Sequence, residues 1–281
     1  MAGLLLLGAC APGSGGGKAE EGVHPRILSL NPCTDAILAE VADRGQIAGL
    51  SVFSSDPGQS SMDVGLARSL PVSGGTLEEA LAAHPDVVLA GGFVSPASRA
   101  AYARLGLPLK SFGVAGSVGE SEAQVRAIAA LAGHKERGEA LVGRIEAALR
   151  AAAPPPGEGV ISALVWQGGG MVPGRGALIT ELLARTGFVS FSARQGMGQA
   201  DVLPLERLLA KPPGVILVAG DGALAGPGGD RMLSHPALER LTGVQRFGFA
   251  PRYEWCGGPT IMGAVRALAR VRADLARGRG A

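Results

Sequence analysis

The side chains best suited to acid–base or metal chemistry are four histidines: His24, His84, His134 and His235. Three of them stand directly before a proline, and His134 falls in the turn before a long predicted helix, so all four mark boundaries between elements. No pair has the spacing of a zinc site, and no serine lies in a Gly-x-Ser-x-Gly motif. We interpret the histidines as surface turn residues, and we predict no bound metal of the protein's own, no intrinsic cofactor and no catalytic residues.

Two glycine-rich stretches match phosphate-binding loops only in part. The sequence GDGALA at residues 220–225 follows a predicted strand, but AGPGGD comes next, where a nucleotide-binding helix would have to begin. The sequence GGGMVPGRG at residues 168–176 lacks the Gly-Lys-Ser/Thr ending of a phosphate loop. The net charge is only +2 and the basic residues are scattered, so we exclude nucleic acid as a partner.

The surrounding elements alternate between strand and helix patterns. Residues 26–30 predict a strand, residues 35–45 a helix capped by Cys33 or Thr34, and residues 46–52 the next strand. A strand–helix–strand unit of this kind is typical of parallel strands. The alternation continues along the chain, which predicts an α/β fold of two lobes, each a mainly parallel sheet flanked by helices.

One amphipathic helix stands near mid-chain, at residues 135–152. Leu141, Val142, Ile145 and Leu149 form an apolar stripe along it, and at about 1.5 Å per residue it would span roughly 27 Å. We predict a single bridging helix between the lobes, and therefore only small lobe motions. The predicted division is a signal remnant and linker, an N-terminal lobe, the bridge and a C-terminal lobe, at residues 1–23, 24–133, 134–153 and 154–281.

The first residues look like the end of a bacterial lipoprotein signal. An apolar run leads into Leu7-Gly8-Ala9-Cys10, and a Gly/Ser-rich tail follows. Cys10 would then be the lipidated first residue of the mature protein; the alternative is a disordered tail. No other segment approaches the roughly 18 apolar residues of a membrane span. We expect a periplasmic or otherwise extracytoplasmic protein that meets the membrane only through a lipid anchor.

An internal repeat links the two halves of the chain. Residues 77–92 align without a gap on residues 205–220 at a constant offset of 128, with eight of sixteen positions identical. Most matches serve packing, but Glu78 and Glu206 fall in the first turns of the two predicted helices. Each carboxylate could simply complement its helix dipole, a stabilisation of about 0.3–1 kcal/mol. Alternatively, the two acids mark a pair of docking points on one face.

The pattern RILSLNPCTDAILAEV, then TLEEALAAHPDVVLAGG, a bridging helix and LPLERLLAKPPGVILVAG resembles the solute-binding proteins of ABC importers for iron-siderophores, cobalamin and haem. The resemblance runs from Arg26 to about Leu275. It implies a monomer that captures a metal chelate between its lobes and is not an enzyme. It also implies that Glu78 and Glu206 pair with arginines of an ABC permease, which works with its ATPase subunits. The alternatives are a direct Zn/Mn-binding transport protein and an enzyme with its site in the cleft.

The predicted cleft is formed by the loops at the carboxyl ends of the strands. Phe53 and Trp166 could equally cap the core, whereas Tyr253 and Trp255, in a polar loop, are stronger ligand candidates. Arg252 could face an anionic chelate or solvent. The full candidate set is Asn31, Cys33, Phe53, Ser54, Phe93, Trp166, Met171, Arg252, Tyr253, Trp255 and Cys256.

The candidate residues do not single out one chelate. Cobalamin-binding relatives tend to line the N-terminal lobe with tryptophan, and this lobe has none. Haem binders usually offer Tyr or His, and Tyr253 is the available residue of that type.

Cys33 and Cys256 fall on predicted cleft loops, one in each lobe. We hypothesise that they face each other across the cleft, as a disulfide or as thiols near the ligand; the alternative is two unrelated buried cysteines. A Cα separation well above 7 Å would exclude a bond.

Overall fold

The computed structural model describes residues 24–219, 235–239, 241 and 243–279. Three predictions lie outside the described residues: the lipid anchor at Cys10, the linker after it and the glycine-rich motif at residues 220–225. Among the helices in the described part of the chain, none is both long and apolar enough to cross a membrane.

A parallel five-stranded sheet forms the N-terminal lobe. Its strands are β1 (Ile27–Ser29), β2 (Ile47–Ser51), β3 (Val72–Ser73), β4 (Val87–Gly91) and β5 (Leu109–Phe112). Their order across the sheet is β3-β2-β1-β4-β5, with Ile27 of β1 paired to Ile47 on one side and Val87 on the other. The chain therefore leaves β1 in one direction for β2 and β3, and then crosses to the other side for β4 and β5.

A second parallel sheet forms the C-terminal lobe. Its strands are β6 (Ile161–Trp166), β8 (Phe188–Ser190), β10 (Val215–Ala219) and β11 (Gln245–Phe249), in the order β11-β10-β6-β8. A small antiparallel ribbon is added by β7 (Met171–Val172) and β9 (Asp201–Val202). The sequence does not predict β7, β8 or β9, because two or three residues are too few to show a strand period.

Helices cover both sheets. They are α1 (Pro32–Val41), α2 (Val64–Arg68), α3 (Leu77–Ala82), α4 (Pro96–Arg104), α5 (Val118–Leu131), α6 (Lys135–Ala151), α7 (Leu178–Arg185), α8 (Phe191–Arg194), α9 (Leu205–Ala210), α10 (Pro236–Glu239), α11 (Arg252–Trp255) and α12 (Thr260–Arg279).

The structure corrects the predicted cap of α1. The cap is Asn31 and not Cys33 or Thr34, because Pro32 occupies the first helical position, where its missing N–H costs nothing. The side chain of Asn31 accepts a hydrogen bond from the Cys33 backbone N–H.

The structure confirms the internal repeat. α3 and α9 have the same length at the predicted offset, and so do β4 and β10. The two sheets also share a strand order, since β2-β1-β4-β5 in one corresponds to β8-β6-β10-β11 in the other. The repeat is therefore a repeat of topology, and it puts equivalent loops at the carboxyl edge of each sheet.

The bridging helix is α6, which ends one residue before the predicted boundary. Its buried side includes Leu141, Val142, Ile145 and Leu149, as its apolar stripe predicts. Gly138 is buried as well, and a Cβ built on it would lie 2.5 Å from the Cβ of Ala129 on α5. The glycine thus lets α5 and α6 approach closely, and it is part of the packing of the bridge.

The cores of the two lobes are continuous. One buried cluster contains Leu89 of the first sheet, Ile145 of α6, Leu217 of the second sheet and Leu268 of α12. The bridging helix is therefore packed into the protein on both sides and does not act as a free linker.

Candidate functional site

The carboxyl edge of the first sheet has a crevice between β1 and β4. The chain leaves β1 toward one side of the sheet and continues through β4 on the other, and open α/β sheets bind ligands at such a switch point. Asn31 follows β1 at this position and Gly91 ends β4. A Cβ on Gly91 would lie 2.8 Å from the Asn31 side-chain nitrogen, so a larger residue at position 91 would displace Asn31.

A cavity of approximately 480 Å³ opens from this crevice within the N-terminal lobe. Its walls include Asn31, Gly92, Phe93, Tyr102 and Gln124. The hydroxyl of Tyr102 is buried with no hydrogen-bond partner among the described residues, and burial raises the pKa of this phenol. A ligand polar atom could supply the missing partner. Sequence reasoning missed Tyr102, because its helix gives no sign that one side chain reaches the sheet edge.

A second, smaller cavity of approximately 230 Å³ lies where the two lobes meet. It is lined by Phe53 and Ser61 from the N-terminal lobe and by Trp255 and Cys256 from the C-terminal lobe. Asn31 and Cys33 line both cavities, so the two spaces adjoin.

Exposed aromatic side chains are concentrated at these cavities. Phe53 is 46% exposed, Phe93 99% and Trp255 47%, and these are the three aromatic residues among the exposed large hydrophobic side chains of the described chain. Each lines one of the two cavities. Leaving apolar rings in water is unfavourable unless a partner covers them, so the cluster indicates a binding surface.

The described walls of the two cavities carry no charge. Among the residues that the structure describes, neither lining contains Asp, Glu, Lys, Arg or His, and the polar side chains are amides and hydroxyls. Among the described residues there is also no group of three or more metal-ligating side chains. The surface is therefore suited to an apolar ligand with few charged groups, and it lacks the ligands that would hold a bare metal ion.

Cys33 and Cys256 form a disulfide between the lobes, with a Cα–Cα distance of 5.0 Å. The sequence left a disulfide, two thiols near the ligand and two unrelated cysteines open, and the structure has the disulfide. The hydroxyl of Ser61 lies 2.9 Å from the Cys256 sulfur, and both side chains are buried.

Trp166 and Ser54 do not face the cleft, contrary to expectation. Trp166 is fully buried in a cluster with Leu164 and Val218, because helices cover both faces of its sheet and the last residue of the strand still points inward. Ser54 is buried too, and its hydroxyl donates to Asp35.

Arg252, Tyr253 and Met171 are absent from the linings of both cavities. The ring of Tyr253 packs on Phe249 at a centroid distance of 5.5 Å and closes over α12 at Gly263, where a Cβ would meet it at 2.6 Å. The exposed guanidinium of Arg252 lies 5.1 Å from the same ring. The bulky ring is used for packing within the C-terminal lobe, which corrects its predicted placement.

A buried carboxyl group supports the turn that carries Phe53. The carboxyl of Asp35 accepts hydrogen bonds from the Ser51 backbone N–H at 3.0 Å and from the Ser54 hydroxyl at 2.6 Å. Burial raises the pKa of Asp35 to about 8, so the group is mostly protonated at neutral pH. The sequence does offer a signal for it, since Asp35 directly precedes the apolar run Ala36-Ile37-Leu38.

Glu254, a half-buried residue, is a second acid beside the cleft. It lies between Tyr253 and Trp255 on α11, and Gln167 donates a 2.6 Å hydrogen bond to it. Burial raises the pKa of Glu254 to about 7. The other carboxylate oxygen is buried with no partner among the described residues.

Glu78 and Glu206 occupy equivalent places away from the cavities. Each stands in the first turn of its helix, α3 or α9, and each is exposed. Among the described residues neither carboxylate forms a salt bridge.

Residues 27–246 match the protein family described as periplasmic binding protein. The chain belongs to this family. In a direct comparison no curated protein matches the sequence.

Solved structures share the fold of this periplasmic binding protein over most of its length. The apo haem-binding protein RhuT from Roseiflexus sp. RS-1 is 22% identical over 90% of this chain and 99% of its own, with a TM-score of 0.71. BhuT in complex with two haems is 20% identical over 89% and 98%, with a TM-score of 0.70. The vitamin B12 binding protein BtuF of Vibrio cholerae is 17% identical over 89% and 98%, with a TM-score of 0.66. At these sequence identities, the structural similarity shows that this chain shares the two-lobe fold of these proteins.

Family membership establishes the general role of this periplasmic binding protein. It is a binding protein and not an enzyme, and it works outside the cytoplasmic membrane.

Proposed function

We propose that the protein captures a tetrapyrrole-type metal chelate, of the haem or cobalamin kind, in the interlobe cleft and delivers it to an ABC permease. The observation that carries this proposal is the cluster of exposed aromatic rings, Phe53, Phe93 and Trp255, around two adjoining uncharged cavities. A macrocycle offers a broad apolar face that such rings can cover. The names of the structural relatives RhuT, BhuT and BtuF support the same ligand class.

The charge of the cleft argues against a ferric siderophore of the catecholate type. Such chelates carry several negative charges, and a buried anion requires cationic partners. In the part of the chain that the structure describes, neither cavity lining contains Arg or Lys. Arg252, three residues before Trp255, is exposed on α11 and is our candidate for an acidic group at the rim of the chelate.

Fluorescence quenching by haemin, cyanocobalamin and a ferric catecholate tests the ligand class. We expect haemin or cyanocobalamin to quench Trp255, because its ring is half-exposed at the cleft, and the catecholate to have no effect. Trp255→Phe should lose most of the quenching, whereas Trp166→Phe, which removes the buried ring, should keep it. Quenching by the catecholate alone would refute the tetrapyrrole assignment.

Docking to the permease is proposed through Glu78 and Glu206. The repeat places them at equivalent exposed positions, one on each lobe, as a two-point contact with permease arginines requires. Charge reversal at both, Glu78→Arg with Glu206→Arg, should abolish uptake and leave ligand affinity unchanged. Glu136→Arg is a matched control, because Glu136 is an exposed acid in the first turn of α6 and shares the same dipole effect. Loss of ligand affinity in the double variant would refute the docking role.

A lipid anchor at Cys10 is proposed from the sequence of residues 1–23. Cys10→Ala should move the protein from the membrane fraction to the soluble fraction after cell lysis. Unchanged fractionation would exclude anchoring at this residue.

A further inference from the structure

The segment Cys256-Gly257-Gly258, here called the strap, belongs to the C-terminal lobe but lies on helices of the N-terminal lobe. The Gly258 backbone N–H donates a 2.6 Å hydrogen bond to the Ser121 hydroxyl on α5. A Cβ on Gly257 would lie 2.3 Å from that hydroxyl oxygen, and one on Gly258 would lie 2.7 Å from Ile37 of α1. Gly258 also has a φ of +62°, which favours glycine. The close approach of the strap thus depends on both glycines.

The strap is also bonded to the N-terminal lobe through Cys256 and Cys33. Further hydrogen bonds join the lobes, from the Ser61 hydroxyl to the Cys256 sulfur at 2.9 Å and from the Val118 backbone N–H of α5 to Glu181 of α7 at 2.8 Å. The lobes are therefore held at a second place besides α6. The disulfide of this second joint lines the smaller cavity, together with Phe53 and Trp255.

The two sulfurs of the disulfide differ in their access to solvent. Cys256 is 3% exposed, whereas Cys33 is half-buried and lines both cavities. A thiolate entering the cleft therefore meets the Cys33 sulfur. Disulfide exchange also depends on the leaving sulfur, and the Ser61 hydroxyl donates to the Cys256 sulfur at 2.9 Å. A hydrogen bond to that atom stabilises the thiolate that leaves.

We propose that the Cys33–Cys256 disulfide is an exchangeable lock on the cleft, opened by a dithiol reductant that attacks Cys33. The first thiolate forms a mixed disulfide with Cys33; the Cys33–Cys256 bond breaks, and Cys256 leaves as a thiolate that takes up a proton. The second thiol of the reductant, as its thiolate, then displaces Cys33, which is protonated in turn. The reductant becomes a cyclic disulfide, and the protein gains two thiols and two electrons.

Opening the lock changes the joint and not the fold of either lobe. Once the disulfide is broken, no covalent bond restrains the strap, and the contacts that remain, such as the hydrogen bonds from Gly258 to Ser121 and from Ser61 to Cys256, can open, so the cleft can widen. A ligand that fills the smaller cavity would cover Cys33 and slow its reduction. Because the widened cleft of the reduced form would fit that ligand less closely, the oxidised form should bind it more tightly, and by linkage bound ligand should also disfavour reduction at equilibrium. This coupling to ligand rests on the proposed function.

Trapping with glutathione tests which sulfur is attacked. The full oxidised chain is incubated with glutathione, quenched with N-ethylmaleimide and mapped by peptide mass spectrometry. We expect glutathione on Cys33 and maleimide on Cys256. Glutathione on Cys256, equal amounts on both sulfurs or no adduct at all would each overturn the proposal.

A Ser61→Ala variant tests the leaving-group role, with Ser55→Ala as a control on the same loop. Dithiothreitol should reduce Ser61→Ala about tenfold more slowly than the wild type, as expected for loss of one hydrogen bond to a charged atom. Ser55→Ala should be reduced at the wild-type rate. Equal rates for Ser61→Ala and the wild type would contradict the mechanism.

Amide hydrogen exchange tests the lock independently of ligand binding. Reduction should speed amide exchange in the strap and at Val118, and leave the buried middle of α12 protected. Unchanged exchange in the strap would overturn the lock. Haemin or cyanocobalamin should slow reduction of the wild type; if neither binds either redox form, the proposed function fails while the trapping and exchange results still decide the lock.

Discussion

The hydroxyl of Ser54 donates a 2.6 Å hydrogen bond to the buried carboxyl of Asp35, and this contact fixes the turn that presents Phe53. The turn runs over Val52–Ser55, so the exposed ring and the buried hydroxyl are adjacent in the chain. A group hidden in the core thereby positions a ring at the ligand surface.

Asp35 makes the stability of the protein depend on pH. The pKa of its carboxyl is about 8 in the folded protein against 3.8 ordinarily, so the folded state keeps a proton that the unfolded state releases between these values. The free energy of unfolding should therefore fall as pH rises through this window, by up to about 1.4 kcal/mol per pH unit.

Asp35→Asn should remove the contribution of this carboxyl to the pH dependence of the free energy of unfolding, because an amide does not titrate. The amide keeps an oxygen that can accept the hydrogen bond from Ser54. Urea unfolding at several pH values in the window measures this contribution, with the exposed Glu136→Gln as the control. A slope equal to the wild-type slope in Asp35→Asn would show that this carboxyl does not hold the proton.

Removing either aromatic ring of the smaller cavity should weaken ligand binding. Phe53→Ala and Trp255→Ala should each raise the Kd about 5- to 30-fold, the effect of losing about 1–2 kcal/mol of ring contact. Leu105→Ala serves as a control, because Leu105 is similarly exposed but lines neither cavity. Titration calorimetry with the chelate found in the quenching screen gives the affinities. Equal losses in all three variants would refute a specific role for the rings.

Two glycines of the bridging helix should respond oppositely to alanine. Gly143→Ala should stabilise the protein by about 1 kcal/mol, because nothing lies within 4 Å of a Cβ there and alanine favours the helix. Gly138→Ala should destabilise it by about 1–3 kcal/mol, because its Cβ would crowd Ala129 at 2.5 Å. Thermal unfolding of the two variants checks the difference. Stabilisation of both would mean that α5 and α6 can move apart freely.

Substitution of the two tryptophans should affect the stability of the protein to different extents. Trp166→Ala should lower the free energy of unfolding by about 3–5 kcal/mol, because the ring is fully buried. Trp255→Ala should change it far less, since the ring is half-exposed. Urea denaturation monitored by circular dichroism measures both values. A large loss of stability in Trp255→Ala would assign that ring to the core.

Sequence reasoning identified the features that depend on pattern. The repeat at an offset of 128 predicted two equivalent helix–strand units, and the apolar stripe predicted the bridge. The predicted loops at the carboxyl edges of the two sheets bring Cys33 and Cys256 to the same cleft, with a disulfide as one of the alternatives, and the structure has that bond. In each case residue order alone carries the information, because secondary structure repeats at a fixed period.

The direction in which a side chain points is harder to predict from the sequence. Trp166 ends β6 and Phe53 lies in the turn just after β2, yet the first ring is buried and the second is half-exposed. The polar loop around Tyr253 predicts a place in the cleft, but Gly263 on α12 leaves a space that the Tyr253 ring fills. The sequence does not predict a role for Tyr102, because only the folded structure shows that α4 brings this side chain to the cavity at the edge of the sheet.

The disulfide spans 223 residues of sequence, and this separation has a consequence for the covalent structure. It makes most of the polypeptide a closed ring. In the chain-entropy model, closing so large a ring lowers the conformational entropy of the unfolded chain and so stabilises the folded state by about 5 kcal/mol. A protease that cuts once anywhere between Cys33 and Cys256 would therefore leave a single covalent molecule. Only reduction would then separate it into two pieces, so a nicked protein would run as two bands on a reducing gel and as one without reductant.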